Sequence, residues 1–141
     1  MRFRIASVLF YIVCCFAILF GIMYLSSPTI LPYHERFIGK THQQLDPSTG
    51  RLFVFFMKVN GMAFLSLGIS MVLLLRGPLK NGEFWTWLTV MVLGGLNLIT
   101  LFVLTLKVGY FTPWWAIGLI TIIFLVAMHL LKTPNERRQK L

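Results

Sequence analysis

Residues 37–47 read FIGKTHQQLDP, a long polar stretch in a chain otherwise dominated by apolar runs. Its centre, Gly39-Lys40-Thr41, matches the end of a phosphate-binding loop. Such a loop requires G-x-x-x-x-G-K-[ST], because the first glycine lets the backbone wrap its N–H groups around the phosphates. Counting back five from Gly39 reaches His34, so that glycine is missing. A buried strand should lead into the loop, and Pro28-Thr29-Ile30-Leu31-Pro32 stands there instead. The competing reading is a tether between two membrane helices, and the flanking sequence selects it.

A composition of 57% hydrophobic and 12% charged residues is not that of a soluble domain. Four apolar runs, residues 5–25, 52–75, 84–106 and 112–131, approach or exceed the roughly 20 residues that cross a hydrocarbon core. Lys58 and His129 are the only basic side chains inside them, and no acidic one lies there. The expectation is an all-α protein: an antiparallel four-helix transmembrane bundle forming one domain over residues 1–132, with a basic tail at 133–141.

The net charge of +9 raises nucleic acid as a partner, but its placement argues against that. Lysines and arginines cluster at the ends of the apolar runs, where membrane proteins keep them. With the N-terminus inside, the inner side holds Arg2, Arg4, Arg76, Lys80, Lys132, Arg137, Arg138 and Lys140. The outer side then holds Arg36, Lys40, Arg51 and Lys107. Eight against four favours both termini in the cytoplasm, and an even number of spans puts both on one side, which agrees. In a bacterium, an inner-membrane location follows and residues 37–47 face the periplasm, where ATP is scarce. No nucleotide or nucleic acid is expected as a partner.

Arg2 and Arg4 resemble a signal-peptide n-region, but 21 apolar residues exceed the usual 7–15 of a cleaved segment, and no A-x-A site follows. The first run is read as a retained span. Cys14 and Cys15 within it are read as packing residues, since neighbours on a helix point about 100° apart. Past that span, Tyr33, Phe37, Ile38, Thr41 and Leu45 recur at helical spacing and predict a short amphipathic helix at the outer surface. Asp46-Pro47 predicts the start of the second helix, with Asp as N-cap and Pro at the first helical position. Arg76-Gly77-Pro78 predicts its end. Trp85 and Trp87 at one end, and Tyr110, Trp114 and Trp115 at the other, form aromatic belts.

Several polar residues within the spans are candidates for function. An amine at the bilayer centre costs about 2.5–3.5 kcal/mol on insertion scales. Lys58 therefore either faces the bundle interior, paired with Asp46, Glu35 or a ligand anion, or snorkels to the outer headgroups. Asn60 points about 200° away from Lys58 and is read as a bond to a neighbouring helix. Gly61 and Gly68 share a face that lets another helix approach closely. In the third run, Thr86, Thr89, Leu93, Asn97, Thr100, Leu104 and Lys107 form a stripe that either hydrogen-bonds other helices or lines a cavity. Lys58, Asn60 and Asn97 are the candidate ligand contacts.

His34, Glu35, His42 and Asp46 form a loose outer cluster, but no H-E-x-x-H or C-x-x-C accompanies it, so no metal site is assigned. His129 has no second histidine within a span to share a haem. No Ser-His-Asp or Cys-His constellation is visible, and no catalytic residue is assigned.

Tyr33-His34, Phe37, Gly39, Leu45, Pro47, Met57-Lys58-Val59 and Gly61, within residues 32–75, resemble small four-helix bacterial inner-membrane proteins loosely similar to the DoxX-like group. The arginine-plus-glycine pattern of that group's first helix is not evident here. The resemblance implies a four-helix membrane fold and a role beside quinone-linked sulfur oxidation; it carries over no catalytic residue.

Two functions follow. The first is a non-catalytic accessory or interaction subunit of a membrane complex, with membrane lipids, other subunits or further copies of itself as partners. The second is a binding or transport protein holding a lipid, quinone or small anion around Lys58. An enzyme would need His34, His42 and Asp46 to converge.

Overall fold

The computed structural model describes residues 2–109 and 112–131 and is all-helical there. Helix α1 spans Arg2–Ser26, α2 Pro32–Ile38, α3 Pro47–Arg76, α4 Phe84–Val108 and α5 Trp114–Leu131. All but α2 are long and apolar enough to cross a membrane, consistent with an integral membrane protein. Tyr110 and the basic tail lie outside the described residues.

The helix boundaries follow from local chemistry. Asp46 caps α3, its carboxylate accepting from the Ser48 and Thr49 backbone N–H groups at 3.1 Å each, and Pro47 takes the first helical position. These bonds hold the Asp46 carboxyl below its ordinary pKa, with the Ser48 hydroxyl as the largest cause. In the loop between α1 and α3, helical periodicity over 33–45 predicts one element, whereas the structure has two. Helix α2 stops at Gly39, whose φ of +72° is left-handed backbone that favours glycine. A separate 3-10 turn covers His42–Gln44, closed by a capping box between Thr41 and Gln44. Thr41 of the Gly-Lys-Thr motif therefore serves as a turn cap.

Packing is uneven. Helix α1 lies along α3, and α5 packs against both α1 and α4. A methyl group built at Gly21 would sit 2.7 Å from the Leu65 amide nitrogen and 2.8 Å from the Gly61 carbonyl oxygen. One at Gly68 would meet Ile18 Cγ1 at 2.7 Å and the Cys14 carbonyl oxygen at 3.1 Å. The glycines thus bring α1 and α3 into backbone contact, as the spacing of Gly61 and Gly68 predicts. The dense core gathers at one end of the bundle, where Phe10, Val90, Phe124, Ala127 and Met128 are fully buried. There Trp87 Nε1 donates to the Met128 carbonyl at 2.9 Å, tying the start of α4 to the end of α5. The other end, under α2, is hollow.

Candidate functional site

The hollow is a cavity of about 360 Å3, within the usual range of small-molecule sites. Phe20 and Tyr24 of α1, Tyr33, His34, Phe37 and Ile38 of α2, and Phe53, Phe56, Met57 and Asn60 of α3 form much of its wall. Leu101, Leu104, Thr105 and Val108 of α4 and Ile117 of α5 complete the far side. Pro32 at the first helical position and Gly39 after the last confine α2 to a segment short enough to roof this space.

Its few polar side chains are Tyr24, Tyr33, His34 and Asn60, with Thr105 and Thr112 on the far side. Tyr24 and Tyr33 share a hydrogen bond between their hydroxyls. The His34 ring lies 4.1 Å from that of Tyr33 and 6.1 Å from that of Tyr24, centroid to centroid. Burial pushes the Tyr33 phenol above its ordinary pKa, and burial holds His34 below 6.5. Both are therefore neutral at pH 7. Asn60 gives one amide proton to the Phe56 carbonyl of its own helix at 3.0 Å, leaving Oδ1 free among the described residues. Neutral donors and acceptors in an aromatic chamber suit an apolar molecule carrying an uncharged polar group.

Other candidates lie elsewhere. Lys58 is exposed and does not line the cavity; its Nζ donates to the Leu25 carbonyl at 2.9 Å. That carbonyl is in the last turn of α1, where the helix dipole favours a cation. The sequence reading offered a carboxylate, a ligand or the headgroups as partner, and the structure supplies a helix end. Among the described residues, Asn60 and Asn97 bond within their own helices and not to neighbouring ones: Asn97 Nδ2 donates to the Leu93 carbonyl at 2.7 Å. Thr89 likewise donates to Trp85 of its own helix.

The four residues of the loop cluster separate. His34 lines the cavity, Asp46 caps α3, and Glu35 Oε1 accepts from the His42 backbone N–H at 2.7 Å. The His42 ring packs over Gly50, and its Nδ1 is buried without a hydrogen bond. His34, His42 and Asp46 do not converge, and no group of three His, Cys, Asp or Glu side chains suited to a metal occurs among the described residues. The cavity residues missed by sequence reasoning left a signal in α1. Phe16, Phe20 and Tyr24 recur every fourth residue and stack in succession, at 5.6 Å and 4.7 Å between centroids.

Comparison with known proteins adds no identity: no family model, no curated protein and no solved structure matches this chain.

Proposed function

We propose that the chain is an antiparallel four-helix bundle of a bacterial inner membrane, both termini cytoplasmic, that binds a membrane-soluble ligand in the cavity roofed by α2. The single observation that carries this is the chamber itself: largely aromatic and aliphatic walls with a few neutral polar groups, the hydrogen-bonded Tyr24–Tyr33 pair among them. The ligand is a lipid or a quinone, each pairing an apolar body with hydrogen-bonding oxygens. A small anion fits less well, because no lysine or arginine among the described residues lines the cavity and Lys58 is committed to α1. The resemblance to DoxX-like proteins agrees with a quinone but is not needed for the reading.

The test is native mass spectrometry of the tagged protein purified in gentle detergent, with extraction and identification of what it carries. Stoichiometric lipid or quinone is expected. Thr105→Phe, which places a ring in the chamber, should remove it while helix content stays unchanged. Protein that carries nothing specific, or ligand retained by folded Thr105→Phe, defeats the reading.

A second reading, an accessory subunit of a larger assembly, is favoured by the polar residues that the lower part of the α3–α4 seam leaves exposed. A stoichiometric larger protein in the same purification would establish it.

A further inference from the structure

Next to the cavity, the seam between α3 and α4 changes character. Asn60, Ser66 and Ser70 of α3 and Asn97 of α4 line a groove of about 330 Å3, with Asn60 shared between groove and cavity. All four are exposed. Asn60 and Asn97 each spend one amide proton on their own helix, and Ser66 does the same with its hydroxyl, to Ala63 at 3.0 Å. Each carboxamide keeps an acceptor oxygen and a second N–H that no group among the described residues takes up. Facing hydrocarbon, such groups are costly until something pairs with them.

The occupant follows from the kind of group. No ionisable side chain among the described residues lines the groove, so charge selects no partner. A carboxamide both donates and accepts, and is therefore complementary to another carboxamide. In a two-fold dimer with its axis along the membrane normal, each residue meets its copy at the same depth, so the groove would face its own chemistry. Ala63, Ser66 and Ser70 keep the α3 side shallow enough for a helix to come close. We infer that this groove is the interface with a second copy of the chain, with the carboxamides of Asn60 and Asn97 pairing across it. The inference rests on the membrane-spanning reading and, through Asn97, which lines the groove and not the cavity, needs no ligand in the cavity.

The test uses the full-length protein, with Cys15→Ala, reconstituted in lipid vesicles. Ser66→Cys should form a disulfide-linked dimer on mild oxidation, and Leu119→Cys, on the exposed side of α5, should not. Asn97→Val should lower the linked fraction roughly fivefold to tenfold, the effect of losing a few amide hydrogen bonds of the strength usual between membrane helices. Asn97→Gln should retain it. Circular dichroism establishes that each variant is folded; Ser70→Phe, which blocks the groove without touching an amide, provides an independent loss of dimer. A monomer in native mass spectra overturns the inference, as does linkage through Leu119→Cys alone or dimerisation indifferent to both Asn97→Val and Ser70→Phe. A different subunit linked through Ser66→Cys in native membranes also overturns it, while leaving the accessory-subunit reading standing.

Discussion

Helix α3 has two neighbours that treat it differently. Against α1, far from it in the cavity-side loop connection, it packs backbone to backbone through Gly21, Gly61 and Gly68. Against α4, which follows it after a short turn, it touches near the dense core, where a methyl at Gly94 would meet Met71 Cε at 3.2 Å, and elsewhere leaves a groove and a cavity. Proximity in sequence did not decide which pair closed. Inside a membrane there is no hydrophobic drive between apolar faces, so close packing goes to the face where small residues let backbones meet. The closed seam is held by backbone contact, and the open one leaves a groove and a cavity.

The largest test of this contrast is Gly21→Leu. Its side chain must enter the Gly61–Leu65 backbone, and a loss of about 3 kcal/mol is expected, at the upper end for overpacking. Thermal unfolding in detergent measures it. Phe56→Leu, on the same α3 but facing the open seam and 53% exposed, should change stability by about 0.5 kcal/mol or less. Similar losses from both would break the comparison.

An intermediate effect is expected from pH at the roof of the cavity. His34 is held below 6.5 by burial, whereas the unfolded ring titrates near that value. Between the two pKa values the unfolded chain binds a proton that the folded chain does not, so stability rises with pH across that window. Its contribution is full above pH 6.5 and declines as pH falls through the folded value. The thermal midpoint should therefore drop between pH 7 and pH 5, and His34→Phe should flatten that slope. An unchanged slope would place the pH dependence elsewhere.

The smallest effects belong to helix ends. Lys58→Met removes the bond to the Leu25 carbonyl at an exposed site, a loss of about 0.5 kcal/mol, the usual scale for a cation at a helix C-terminus. Ligand retention should be unaffected, because Lys58 does not line the cavity; a lost ligand would restore the lysine to the site. Asp46→Ala should speed amide exchange at Ser48 and Thr49, which its carboxylate holds. Since that carboxyl titrates below its ordinary 3.8, the cap is present above that pH and is lost as pH falls through the folded value.

Four long helices, their approximate ends and the capped start of α3 were legible in the sequence because each depends on a nearby signal. Apolar run length reports a span, and Asp-Pro or Gly-Pro reports an end, whatever the rest of the chain does. Gly61 and Gly68 were legible as a packing face for the same reason. The site was only partly so. His34 and Asn60 were named, but for a cluster and an interhelical bond that did not form, while Tyr24 read simply as part of a span. Lys58 drew attention through its charge and was answered by Leu25, 33 residues away in sequence, a pairing that no local pattern predicts. Sequence alone therefore determined which segments are helical and apolar, properties of short stretches of chain. Tertiary structure decided which helices close on each other and which stand apart, because a cavity arises from contacts among segments distant in sequence.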